Sequence, residues 1–168
     1  MSHLAKRVVK HLKPNAYRRH FQAQQKDELS RAVAAAESGH RGEIRVVVEA
    51  KLPLALLLDK VTSRDRAIHW FSDLHVWDTE GNTGILLYLL LAEHKLEIVA
   101  DRGIAAKVPQ QEWDAICQQL QQDMAAERVV AGLSLSIKQL GQLLATHFPI
   151  EPGTDNPNEL SNVPVLIL

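Results

Sequence analysis

Residues 84–104 read GILLYLLLAEHKLEIVADRGI, two apolar runs joined by Glu93-His94-Lys95 and closed by Asp101-Arg102-Gly103. The first run, Ile85 to Ala92, is apolar at every position and follows the turn-forming Asn82-Thr83-Gly84. It is too short to cross a bilayer and reads as a strand covered on both faces. Three polar residues then lead to Leu96-Glu97-Ile98-Val99-Ala100, a gap that suits an antiparallel hairpin and is too short for a helical crossover. The sheet is therefore at least partly antiparallel.

Before the hairpin, Glu43-Ile44-Arg45-Val46-Val47-Val48-Glu49 is a β-branched run with the character of a second strand. A helix precedes it from about Gln24 to Ser38, with Leu29, Ala32, Val33 and Ala36 at helical spacing and Gly39 as its stop. Between the two strands, Leu54 to Leu58 leaves a helical turn and a buried loop both open. Thr62-Ser63-Arg64-Asp65 is a capping box with Asp in place of Glu, and it opens a helix with Ala67, Ile68, Phe71 and Leu74 on its apolar stripe. After the hairpin, Pro109 suits the first turn of a helix faced by Trp113, Ile116, Cys117, Leu120 and Met124. Another helix runs from about Glu127 to His147 on Val130, Leu133, Ile137, Leu140 and Leu144, and Phe148-Pro149 ends it. Helix, strand, helix, strand, strand, helix, helix, with a central strand covered on both sides, predicts a three-layer α/β/α sandwich around a small mixed sheet.

At 168 residues, 46% hydrophobic and 23% charged, the chain suits one soluble domain with tails. The expected division is a basic amphipathic arm at 1–22, the domain at 23–149, and an extended or disordered tail at 150–168. In the tail, Val165 to Leu168 either fray or add an edge strand. The net charge of −1 hides an asymmetry: residues 1–26 hold seven Lys or Arg and no acid, so an acidic body follows a basic start. Along Leu4 to Leu12, the apolar Leu4, Ala5, Val8, Val9 and Leu12 fall on one helical face, with Lys6, Arg7, Lys10 and Lys13 on the other. Such a segment is either a solvated tail or a contact for an anionic membrane surface through residues 1–20. The acidic body offers no face for sequence-specific nucleic acid. With no apolar stretch for a signal peptide or a span, the expected location is cytoplasmic, peripheral to the inner membrane.

Catalytic patterns are missing. The eight histidines include no pair at the four-residue spacing of a zinc helix, and Cys117, the lone cysteine, sits on an apolar stripe. Ser63 and Ser72 lack a nucleophile elbow, and Gly39-His40-Arg41-Gly42 lacks the Lys-Ser/Thr of a phosphate loop. No catalytic residue and no organic cofactor are assigned. Asp101 leaves a buried strand into a glycine turn, where the Asp78 and Glu80 loop offers further oxygens. Asp78, Glu80 and Asp101 are the candidate ligands for Ca²⁺ or Mg²⁺; the alternative is that Asp101 only caps the turn or pairs with Arg102.

The order and spacing of Gly42-Glu43-Ile44-Arg45-Val46-Val47-Val48, of Gly84 to Ala92, of Leu96 to Ile104, of the Trp113 helix and of His147-Phe148-Pro149 resemble the TPM domain. The likeness spans roughly Leu29 to Pro149 and is strongest with a short bacterial branch of unknown function. What the resemblance implies is an α/β/α sandwich, in a family with a plant member associated with acid phosphatase activity and a bacterial member that binds divalent cations. The expected function is a non-catalytic or regulatory module that meets an unknown protein partner at the membrane surface. The alternative is a low-activity, divalent-cation-dependent acid phosphatase.

Overall fold

The computed structural model describes residues 2–168. Its helices are α1 (His3–Leu12), α2 (Ala23–Ala36), α3 (Leu54–Leu58), α4 (Ser63–Asp73), α5 (Arg102–Ala105), α6 (Gln110–Ala125) and α7 (Val129–His147). The strands β1 (Glu43–Glu49), β2 (Gly84–Leu90), β3 (Lys95–Ala100) and β4 (Val165–Ile167) form one sheet in the order β3-β2-β1-β4. The hairpin is antiparallel, with Ile85 opposite Ala100, while β1 lies parallel to both β2 and β4. The sheet is mixed, as the length of the Glu93-His94-Lys95 connection requires.

Every residue of β1 and β2 is buried, and alternate side chains feed two cores. Ile44, Val46 and Val48 join Ile85, Leu87 and Leu89 under α2, α6 and α7, where Leu29, Leu120, Leu133, Ile137 and Leu140 complete the packing. Val47, Leu86, Tyr88 and Leu90 face the other way, against Leu57 of α3 and Ala67 of α4. Helices on both faces explain why β2 shows no polar alternation: neither face meets water. Each fully buried Leu or Ile contributes about 1.5–3 kcal/mol, so this double burial is the main source of stability. The capping box at the start of α4 forms as the sequence indicates, with Thr62 and Asp65 bonded reciprocally.

One polar cluster lies within the second core. Glu49, at the end of β1, accepts from Arg66 Nε at 2.9 Å and Nη2 at 3.0 Å, and from the Tyr88 hydroxyl at 2.9 Å. Trp70 Nε1 donates to the same carboxylate at 3.3 Å, and the Arg66 guanidinium lies 4.7 Å from a Trp70 ring centroid. The buried charge is therefore fully partnered, as such a charge must be.

Both ends of the chain are tied to this body. The basic start is helical over residues 3–12, but it is docked instead of standing off as an arm. Arg7 Nε donates to Glu93 Oε1 at 2.6 Å and Arg7 Nη2 to the Val61 carbonyl at 2.6 Å. The His11 ring accepts the Leu52 N–H at Nδ1, 2.9 Å, which leaves Nε2 to donate to Glu93 Oε1 at 2.9 Å. At the other end, residues 150–164 contain no helix or strand, yet they are held. Arg45 Nη1 donates to the Ser161 carbonyl and, at 3.1 Å, to that of Val163. The Glu43 carboxylate accepts from the Glu159 and Leu160 amides, each at 3.2 Å. Val165–Ile167 then completes the sheet edge.

Candidate functional site

The amino ends of β1 and β2 and the carboxyl end of β3 meet at one end of the sheet, and Asp101 lies there. Its N–H donates to the Gly84 carbonyl at 2.9 Å, and its Oδ1 caps α5 by accepting from the Arg102 amide at 2.7 Å. Oδ2 is buried and has no hydrogen-bond partner among the described residues. The turn is pressed onto the preceding loop: a Cβ at Gly103 would stand 2.5 Å from the Asn82 carbonyl oxygen and 2.7 Å from that of Gly81, so only glycine fits. Arg102 Nε also reaches Asn82 Oδ1 at 3.3 Å. The loop backbone thus comes to Asp101, and the capping role allowed by the sequence is present.

Asp78 and Glu80 have exposed side chains on that loop. Glu80 Oε2 is 3.9 Å from Arg41 Nη1, and the Glu80 amide donates to Glu159 Oε2 at 3.0 Å. Among the described residues, no three His, Cys, Asp or Glu side chains are grouped so as to hold a metal ion. Behind this end lie Glu37 and Glu43. Burial pushes the Glu37 carboxyl up to about 8, although the Ile44 amide donates to its Oε1 at 2.7 Å. Burial also raises Glu43 and lowers Arg45 from their ordinary ranges.

At the opposite end of the sheet, where β1 and β2 finish, α1 and the start of α4 enclose a cleft of about 790 Å³. Lys6, Arg7 and Lys10 line it from α1, Lys60 from the loop before α4, and Glu93 and Lys95 from the hairpin connection. Burial alone would raise the Glu93 carboxyl, but hydrogen bonds from His11 and Arg7 outweigh it and hold the group below the usual carboxylate range. Glu93 is therefore committed to holding α1 in place.

The TPM domain family model matches residues 15–143, most of the chain. The chain belongs to the TPM domain family. Among solved structures, this TPM domain is similar to the BA42 protein of the psychrophilic bacterium Bizionia argentinensis, determined by NMR. The two share 27% identity at a TM-score of 0.76, over 87% of this chain and 94% of that one. No curated protein matches the chain.

The cleft of this TPM domain was invisible to sequence reasoning. Lys60 lies in a loop and Lys95 opens β3, both far along the chain from the basic start, and nothing in their neighbourhoods signals a shared site. Cys117, by contrast, is read correctly as a packing residue: burial first, then Glu97 and Asp114, pushes its thiol up to about 11, which removes the thiolate a nucleophile needs.

Proposed function

We propose that this TPM domain is a non-catalytic binding module that works against an anionic membrane surface. The supporting observation is the outer surface of α1 and α3, which pack together. Val9, Leu12, Leu54 and Leu58 are 38%, 70%, 54% and 58% exposed there. At about 100° per helical residue, Lys6 lies about 60° and Lys10 about 100° around α1 from Val9, and Lys13 follows directly after the helix. Exposed apolar residues beside lysines suit an interfacial contact, in which the apolar groups enter the headgroup boundary and the ammonium groups meet phosphates. No helix among the described residues is long and apolar enough to cross a membrane. The cytoplasmic leaflet of the inner membrane supplies anionic lipid of this kind.

Co-sedimentation with vesicles tests the reading. Phosphatidylcholine vesicles containing phosphatidylserine should retain the protein, and neutral vesicles should not. Changing Lys6, Lys10 and Lys13 to Gln together should weaken retention on the order of a hundredfold, at roughly 1 kcal/mol per lysine. Equal partition onto both kinds of vesicle would remove the proposal.

A second reading, a divalent-cation-dependent phosphatase, rests on Asp101. Its buried, unpartnered Oδ2 at a sheet end is the kind of donor a hard cation takes; Asp78 and Glu80 on the adjoining loop are not grouped with it here and would complete the site only by moving toward it. A Mg²⁺ held there supplies charge to polarise a phosphoryl oxygen. Amide NMR titration with Ca²⁺ and Mg²⁺ should then give saturable shifts confined to residues 76–84 and 100–105, and Asp101→Asn should weaken them at least tenfold. The same affinity in both proteins rules out Asp101 as a ligand.

A further inference from the structure

We infer that the cleft between α1 and the start of α4 is a binding site for a phosphate-bearing ligand with more than one negative charge. Five cationic side chains, Lys6, Arg7, Lys10, Lys60 and Lys95, face it against the single carboxylate of Glu93. That carboxylate is already paired with Arg7 and accepts a further hydrogen bond from His11. The four lysines form no ion pair among the described residues, so their charges are available to a ligand held in the cleft. Lysines from three separate segments of chain would repel one another across an empty cleft, and a multiply charged anion relieves that repulsion.

Position in the fold argues the same way. β1, β2 and β4 run parallel, and the cleft lies outside the carboxyl ends of β1 and β2, which is where open α/β sheets receive ligands. The eleven-residue α4 begins at its rim with Thr62 and Ser63, but the Asp65 carboxylate of its capping box already serves that amino end, so the positive field comes from the lysines. A cleft of about 790 Å³ is in the range of small-molecule sites and larger than one phosphate needs. The ligand is thus a phosphate on a larger body, either a lipid headgroup or a soluble phosphorylated compound. The inference deepens the membrane reading by naming the group recognised, and rests on that reading only for the lipid source.

The test uses the whole chain, with inorganic pyrophosphate as the soluble probe and phosphatidylcholine vesicles containing phosphatidic acid as the lipid probe. Lys60→Gln with Lys95→Gln alters two exposed side chains outside α1, so folding and the surface lysines of α1 are kept, which an unchanged amide spectrum verifies. Pyrophosphate should shift the amides of residues 3–10, 60–63 and 93–95 saturably, and the double variant should bind it at least about tenfold more weakly. If the variant also loses retention on phosphatidic acid vesicles, the bound phosphate is a lipid headgroup. If pyrophosphate binds but neither vesicle retains the protein, the site takes a soluble ligand and only the membrane reading fails. If pyrophosphate leaves those amides unmoved, or binds wild type and variant alike, the inference is overturned even where phosphatidylserine vesicles still retain the protein.

Discussion

Glu37 and Asp101 share an uncommon property at the residue scale: each has one buried carboxylate oxygen with no hydrogen-bond partner among the described residues. For Glu37 the consequence is a pH dependence of stability. Burial raises its carboxyl from 4.5 to about 8, Glu43 adds to the rise, and the Ile44 amide, Arg45 and Asn162 oppose it. The folded state therefore keeps a proton that the unfolded chain releases at lower pH. Between about 4.5 and about 8 the folded state binds more protons, so stability falls as pH rises through that window and levels off above it. Glu37→Gln retains an oxygen for the Ile44 amide and removes the titration. It should match wild type near the lower limit and gain stability, on the order of 1 kcal/mol or more, above the upper one, where the partly solvated wild-type carboxylate is charged. Urea midpoints across the window check this. A gap between the two proteins that does not change with pH assigns the proton to another group, Glu43 being the nearest with a raised carboxyl.

At the scale of elements, what was legible followed the length of the hydrophobic pattern. β2 and α7 carry seven and nineteen residues of consistent character, and their positions could be read within one or two residues of the helix and strand ends. Leu54–Leu58 stayed open because five apolar residues suit a helical turn and a buried loop equally; the Pro53 carbonyl, accepting the Leu57 amide, decides for the helix. β4 is three residues long, below any detectable period, and its order comes from the Arg45 and Glu43 bonds that bring residues 159–163 to the edge of β1. Docking of α1 was likewise unreadable, since its anchors Leu52, Val61 and Glu93 are separated from it by some forty to ninety residues. At the candidate sites the same limit applies. A carboxylate at a strand end before a glycine is a local pattern, whereas Lys60 and Lys95 become neighbours of Lys6 and Lys10 only through the fold.

The whole molecule has a chemical polarity along its strands. The carboxyl ends of β1 and β2 lead to the lysine cleft and to the exposed Leu12, Leu54 and Leu58, while their amino ends meet Glu37, Glu43, Glu80 and Asp101. A near-neutral net charge of −1 thus conceals a concentration of lysines at one end of the sheet, while at the other end the carboxyl groups lie among Arg41, Arg45 and Arg102. Near an anionic surface the lysine end is attracted and the opposite end is not, so the attraction selects one orientation. The Asp101 loop then points to water, where a cation or a protein partner reaches it without competing with lipid. Vesicles of phosphatidylcholine and phosphatidylserine that carry a spin-labelled headgroup should broaden the amides of residues 9–12 and 54–60, and leave those of 78–82 and 101–103 sharp. Equal broadening at both ends would mean that the protein has no preferred face, and the exposed leucines would then have no role at the membrane. With the orientation as expected, any Ca²⁺-dependent shift of the 78–82 loop should be the same in vesicle-bound and free protein, because the two regions lie at opposite ends of the sheet.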